Sequence, residues 1–470
     1  MSEPRPIHRY REVYNRIRNS IADGALRPGD RLPSVRALAA ELKVARGTVE
    51  VAYALLAGEG FILSRRRTGT RVSPALPEIS VLQAPSPAPA PAAPEPDDFT
   101  GLFAAPLPLL PGLPSFDLFP RTAWSQVIGR HARRSTIAEL TYPDPVGLSP
   151  LRNALAAHLA VARGIRCTAD QILITGGYIP ALSLVCRALL APGDVVWVEN
   201  PLYNFTARAI VESGGVPTPL ELDGEGLDVE LGERIAPNAT LCVTGPSCQF
   251  PLGVTMSLPR RIALLDWAER AGAWVLEDDY VGEFRYDGAP LPALKSLDQH
   301  DRVFYVGTFS KTLFPGLRLG YVVVPRSQLA RLKRIVRRLD GGRPALGQLA
   351  VAEFIESGQF ARHVKRMRTA YRSRKTALTV AFEAAFGARF PLQTMNGGLH
   401  LLAHAEEDDR DLQLRARQAG LQPIGLSTMD ARRPQRRGLL LGFSNVPESQ
   451  AEDIVARLAS AFAGRSPPPG

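Results

Sequence analysis

Apolar positions recur along this chain in two rhythms, and the change of rhythm divides it. Through the first 75 residues the period is helical. Tyr10, Val13, Tyr14, Ile17 and Ile21 share one face of a helix that Gly24 stops. Pro33 and Ser34 set the next start, with Ser34 as N-cap and Val35, Leu38, Ala39 and Leu42 as the apolar face. After a short turn, Lys43 to Ala45, a third helix from about Arg46 to Glu59 buries Val49, Ala52, Tyr53 and Leu56 and turns Arg46, Gly47 and Thr48 to solvent. Phe61 to Leu63 and Thr70 to Val72 then read as two short strands around Ser64 to Gly69.

Three helices followed by a hairpin make a helix-turn-helix with a wing. The first turn of the last helix is free to meet base edges in the major groove. Arg65, Arg66 and Arg67 on the wing would lie along the DNA backbone or enter a minor groove. Charge supports this: residues 1–75 hold 14 Lys+Arg against 7 Asp+Glu, and the other 395 residues 42 against 39, so +7 of the net +10 sits in the first sixth. The bland alternatives are a solvated basic face or a purely structural three-helix bundle. The stretch from Gly29 to Val72, with Leu-Pro-Ser-Val-Arg-Ala-Leu-Ala, Ala-Arg-Gly-Thr-Val and Gly-Thr-Arg-Val, resembles the winged helix of GntR-type regulators. The resemblance implies double-stranded DNA as partner, met by Ser34, Arg36, Arg46, Gly47, Thr48, Arg65, Arg66, Arg67 and Gly69.

After Pro74 the pattern lapses. Residues 84–96 hold six prolines among alanine and serine, a composition that packs no core and spans up to roughly 40 Å as polyproline. The expected division is a DNA-binding domain over 1–75, a linker over 76–98 and a body over 99–470.

In the body the rhythm becomes one of short continuous apolar runs: Ile172 to Ile174, Val195 to Val198, Leu241 to Val243, Trp274 to Leu276 and Val303 to Val306. Helical patterns such as Ala181 to Leu190 and Pro259 to Ala271 separate most of them, which predicts an α/β fold with a mostly parallel sheet covered on both faces. Ligands in such sheets bind beyond the carboxyl ends of the strands. The first run is followed by Thr175, Gly176 and Gly177 before a helix, where bare N–H groups suit a phosphate. The second leads to Glu199, Asn200, Pro201 and Tyr203, an aromatic ring at the rim. After the third come Thr244, Gly245 and Pro246, and the fourth ends in Glu277, Asp278, Asp279 and Tyr280.

The fifth run hands over to Gly-Thr-Phe-Ser-Lys-Thr-Leu-Phe-Pro-Gly-Leu-Arg, residues 307–318. A lysine at the end of an apolar strand has its pKa lowered by burial and can attack a carbonyl to form an imine. Thr308, Ser310 and Arg318 around Lys311 suit a phosphate, and a phosphate beside such a lysine points to pyridoxal 5'-phosphate. That chemistry also needs a carboxylate at the pyridine nitrogen. Asp278 is assigned to it, with Asp279 as rival, Tyr280 at the ring's phenolic oxygen, and Glu277 directed to the sheet's other side or to solvent. Tyr142 is a further phosphate candidate.

Composition closes other routes. No run of 18 apolar residues spans a membrane, and the arginine-studded N-terminus lacks the apolar segment of a signal peptide. Four scattered cysteines and seven scattered histidines match neither a disulfide framework nor a metal site, which fits reduced thiols in a cytoplasm.

From Phe99 to about Phe462 the chain resembles the aminotransferase-like fold type I of pyridoxal phosphate enzymes, and with the winged helix it is similar to MocR-family transcriptional regulators. The motifs are Tyr-Pro-Asp-Pro-Val-Gly, Ile-Thr-Gly-Gly, Glu-Asn-Pro-Leu-Tyr, Glu-Asp-Asp-Tyr-Val-Gly-Glu-Phe, the lysine motif and Gly-Gly-Leu-His. The resemblance implies a smaller C-terminal α+β subdomain, Lys311, Asp278, Tyr280 and Tyr203 on the cofactor ring, and Gly176, Gly177, Thr308, Ser310 and Arg318 around its phosphate. It further implies a homodimer with shared sites, in which Tyr142 reaches the neighbour's phosphate. Departures stand beside it. Phe250 precedes Pro251 where aminotransferases usually have asparagine, Tyr178 and Ile179 follow the glycine pair, and Leu440 stands where an arginine commonly clamps a substrate carboxylate. Arg432, Arg433, Arg436 and Arg437 lie close enough in sequence to substitute. Two functions follow: a regulator that senses the cofactor, alone or with an amino compound, or an active aminotransferase with an appended DNA-binding module.

Overall fold

The computed structural model describes residues 9–65, 69–76, 106–286, 292–393, 395–430 and 436–463, without the side chain of Arg65. The proline-rich stretch and Arg66, Arg67, Arg432 and Arg433 lie outside the described residues. The chain forms two compact units, Met1–Gly101 and Leu102–Gly470.

In the first unit, α1 (Arg9–Ala22), α2 (Val35–Leu42) and α3 (Arg46–Gly58) precede an antiparallel hairpin of β1 (Ile62–Arg65) and β2 (Gly69–Val72). The strands run further toward the tip than the alternation predicts. Helix α2 begins where Ser34 Oγ accepts a hydrogen bond from Ala37 N at 3.2 Å and ends at Lys43 in a left-handed conformation, φ 52°. Val13, Ile17 and Ile21 of α1 pack with Val49, Ala52 and Leu56 of α3, and Ile62 and Val72 of the hairpin close the core. Burying each of the larger aliphatic chains contributes about 1.5–3 kcal/mol. Tyr53 is tied in at its polar end, donating to Pro33 O at 2.8 Å.

The second unit is built on an eight-stranded sheet: β3 (Ile172–Thr175), β4 (Val195–Asn200), β5 (Val216–Asp223), β6 (Gly226–Leu227), β7 (Leu241–Thr244), β8 (Trp274–Asp279), β9 (Val303–Thr308) and β10 (Gly320–Val323). Their spatial order is β3-β10-β9-β8-β7-β4-β5-β6. The five expected runs are β3, β4, β7, β8 and β9, and β9-β8-β7-β4-β5 pair in parallel. Strand β10, which the apolar pattern did not single out, lies antiparallel between β9 and β3. The reason is local: only residues 309–319 join β9 to β10, too few for the crossover a parallel neighbour needs. Both faces are covered, one core holding Leu173, Val198 and Phe304 and another Trp197, Val275 and Leu440. A smaller antiparallel sheet follows, of β11 (Leu392–Gln393), β12 (His400–His404), β13 (Ile424–Gly425) and β14 (Gly438–Gly442) in the order β11-β12-β14-β13. It carries the helices Asp409–Gln418 and Ala451–Ala463 and forms the C-terminal α+β part. No helix among the described residues is long and apolar enough to cross a membrane.

Candidate cofactor and DNA sites

Strand alternation decides which acid of Glu277, Asp278 and Asp279 faces the cleft. Side chains one apart on β8 point to opposite faces. Glu277 is wholly buried behind the sheet, its carboxylate accepting from Leu294 N and Lys295 N at 2.8 Å each. Asp279 shares that face, with Oδ2 2.6 Å from Arg163 Nη2 and 2.7 Å from the Tyr305 hydroxyl that donates to it. Its role as rival for the ring nitrogen therefore fails: its charge is matched by a buried guanidinium. Asp278 alone of the three opens into the cleft lined by Tyr178, Glu199, Tyr203, Thr244, Phe250 and Tyr280.

The cleft is electrostatically unusual. Burial raises the Asp278 carboxyl well above its ordinary range, and the charges of Asp279 and Glu199 push it further, while Lys311 pulls it down. Burial in turn lowers the Lys311 ammonium from 10.5 to about 8, against the attraction of Asp278. Lysine and carboxylate are thus near enough for each to set the other's proton affinity. Among the described residues, no protein group hydrogen-bonds the Asp278 carboxylate. Lys311 Nζ donates to the backbone carbonyl of Gly112 at 2.7 Å, a partner 199 residues away that no motif marked. Glu199, which the sequence offers only as a strand-end residue, is the other acid of the cleft. It accepts from Thr244 Oγ1 at 2.5 Å and Gly245 N at 3.1 Å, and burial raises it to about 7.

Around the lysine, Thr308 Oγ1 accepts from Ser310 N at 3.1 Å, and Arg318 stands exposed in a left-handed conformation, φ 52°. Arg318 acts on Tyr203 as a nearby positive charge. Gly177, φ +120°, caps the helix Tyr178–Leu189. A side chain at Gly320 would meet its Cα at 2.9 Å, so strand β10 and the helix start approach as only glycines allow. Arg343 reaches the same spot: a Cβ on Gly176 would lie 3.1 Å from its Nη1. Tyr203 is 41% exposed at the rim, 6.0 Å between ring centroids from Phe250, which also packs edge-on to Tyr280 and His400. Tyr142 is not brought into this cleft: it is 95% exposed.

The departures also have places. Leu440 is fully buried in β14. Arg436 is held by Glu221 at 3.4 Å and Asn200 O at 3.5 Å, and Arg437 by Glu406 O at 3.1 Å.

In the first unit Arg36, Arg46 and Gly47 are exposed and Thr48 half-exposed, with Arg46 opening α3. Ser34 spends its oxygen on the α2 cap. Gly69, φ +80°, pairs with Arg65 at the end of the hairpin and lies against the Arg31 side chain.

A helix-turn-helix followed by a hairpin, and an α/β body in which a buried lysine and a cleft carboxylate shift each other's proton affinity, define a class, the DNA-binding regulators with an aminotransferase-type pyridoxal phosphate domain. Residues 9–72 match the bacterial regulatory proteins of the gntR family, and residues 119–422 match aminotransferase class I and II. The chain is 33% identical to the probable rhizopine catabolism regulatory protein MocR of Rhizobium meliloti, over 97% of this chain and 94% of that protein. It is 32% identical to the pyridoxine biosynthesis transcriptional regulator PdxR of Corynebacterium glutamicum, over 96% and 95%. The body also superposes on Pyrococcus horikoshii kynurenine aminotransferase, with TM-score 0.69, 29% identity and 76% and 90% coverage. The chain belongs to the MocR-type regulators of the GntR family. Pyridoxal phosphate is the cofactor of its body domain, and the residues fit it, because a cleft carboxylate with no hydrogen-bond partner among the described residues is what a protonated ring nitrogen requires.

Proposed function

We propose that this chain is a homodimeric transcriptional regulator in which residues 1–75 read operator DNA, 76–98 tether, and 99–470 sense pyridoxal phosphate, alone or with an amino compound, in the cytoplasm. What supports the reading is that Lys311 and Asp278 lie near enough to shift each other's proton affinity, in a chain that also contains a helix-turn-helix followed by a hairpin. The bound cofactor supplies an aldehyde carbon for amines and an electron sink behind it. Lys311, whose amine is substantially neutral near pH 8, holds the cofactor covalently. Asp278 would keep a proton at the ring nitrogen, with Tyr280 as the donor to the ring oxygen and Tyr203 as the aromatic group at the rim. Gly176, Gly177, Thr308, Ser310 and Arg318 take the phosphate, with Tyr142 contributed across the dimer. Arg36, Arg46, Gly47 and Thr48 meet the DNA, Ser34 sets the α2 start, and Gly69 with Arg65, Arg66 and Arg67 forms the wing. An effector acts by binding one arrangement of the regulator better than another.

Turnover as an aminotransferase is the weaker reading, on two observations. Phe250 fills an asparagine's usual place with apolar packing, and Leu440 is buried where a carboxylate-binding arginine commonly stands. The test is to recover bound genomic DNA and measure its affinity with cofactor-free protein, with cofactor, and with cofactor plus candidate amines. An affinity that never responds to cofactor or amine rejects the sensor. Sustained keto acid production over many turnovers establishes the enzyme.

A further inference from the structure

The helix Leu329–Leu339, Leu-Ala-Arg-Leu-Lys-Arg-Ile-Val-Arg-Arg-Leu, packs with the core on one face of the body sheet. It carries five cations, Arg331, Lys333, Arg334, Arg337 and Arg338, and no acid among its eleven residues, in a body whose charges otherwise nearly cancel. Its apolar side is used up: Leu332 and Val336 are buried, and Leu329 and Ile335 pack against the same core cluster. Lys333 is partly matched by Asp170 at 3.3 Å. Arg331, Arg334, Arg337 and Arg338 are exposed and have no ion pair among the described residues.

These facts choose the kind of partner. A basic amphipathic helix binds a membrane by sinking its apolar face, and this one has that face in the protein core. What remains is a ridge of guanidinium groups at i, i+3 and i+7, with Arg337 beside it, spread over about 10 Å of helix. Duplex DNA offers one negative charge per roughly 1.7 Å of its axis, and arginine suits phosphate geometry.

We infer that this helix is a second DNA-binding surface, contacting the phosphate backbone of duplex outside the segment read by the winged helix. The inference rests on the DNA-binding reading of the first unit. It assigns the body a direct, sequence-independent share of the affinity.

The test uses the full-length, cofactor-loaded protein and a mixed-sequence duplex of about 60 base pairs, titrated between about 50 and 200 mM salt. Replacing Arg331, Arg334, Arg337 and Arg338 by Gln should weaken binding by roughly tenfold or more at the lowest salt. The slope of log affinity against log salt should become shallower by about 3 to 4, near 0.9 for each phosphate that is no longer neutralised. The cofactor absorption and thermal midpoint should not move, and the four Arg→Lys replacements should retain binding. If the quadruple variant fails to fold, the pair Arg337→Gln and Arg338→Gln is compared with Arg410→Gln and Arg417→Gln, exposed arginines elsewhere on the body. Unchanged affinity and slope, or equal losses in those two pairs, overturn the proposal. So does loss of binding to phosphatidylserine vesicles with duplex binding intact. Wild-type protein that binds no duplex at all brings down the winged-helix reading instead.

Discussion

The two units of this protein assemble their sites in opposite ways. The residues proposed for the winged-helix DNA site all fall between Ser34 and Gly69, and the described ones are placed by α2, α3 or the hairpin. The proposed cofactor site joins a cleft lined from β4, β7 and β8 to a lysine after β9 that is held by a carbonyl 199 residues distant. A contiguous site should lose function a side chain at a time. A convergent site should either lose its ligand outright or lose the fold that brings its parts together.

Lys311→Ala should show the largest effect, complete loss of the cofactor's visible absorption, while DNA binding by the winged helix persists. A wild type that stays colourless with added pyridoxal phosphate would sink the site. Next come neighbours on β8 that should fail differently. Asp279→Ala removes the carboxylate that Arg163 pairs with and should cost about 3–5 kcal/mol of stability in a denaturant titration. Asp278→Ala removes a carboxylate with no hydrogen-bond partner among the described residues, so it should weaken cofactor binding without a comparable loss of stability. If Asp278→Ala unfolds the body and Asp279→Ala only releases cofactor, the assignment of faces is wrong.

A smaller effect belongs to the first unit. Arg46→Ala should cost about 1–3 kcal/mol of operator affinity and leave the absorption intact. A parallel fall in both would mean misfolding rather than the removal of one DNA-facing side chain.

The pH behaviour separates the units again. Capture of pyridoxal phosphate by cofactor-free protein should speed up about tenfold per unit below pH 8 and level off above it, as Lys311 loses its proton. The unfolded chain keeps that proton until about 10.5, so between pH 8 and 10.5 it binds more protons than the native protein. The contribution of this lysine to the stability of the cofactor-free body should therefore rise across that window, against the buried cysteines, whose raised pKa values work the other way above about pH 9, and the difference in pH slope between wild type and Lys311→Met should isolate it. Smallest of all, Ser34→Ala should cost about 1 kcal/mol of first-unit stability by removing the α2 cap.

Much of this was legible in the chain. Capping serine, turn and helical spacing placed α2 and α3 within a residue or so, because these are local preferences. The five buried runs became strands because continuous apolar stretches between helices have few other stable uses. The lysine, the glycine pair and the acidic strand end were readable for the same reason. Strand β10, Gly320–Val323, was not singled out although β3 and β7 are equally short, since no α-helix sets it apart from β9. The Gly112 carbonyl and the second acid Glu199 carried no local signal.

The order of residues determined the elements, the cap, the proline-rich stretch between the units and which residue types would stand at the strand ends, since each follows from bonds and preferences within a few positions. Only the folded sheet decided that Asp278 lies where Lys311 acts on it while Asp279 faces Arg163, and that Phe250 packs edge-on to Tyr280 and Leu440 is buried. Those outcomes depend on strand order and on the pleat that alternates side chains between two faces, and both are properties of chain segments far apart in sequence meeting in one layer.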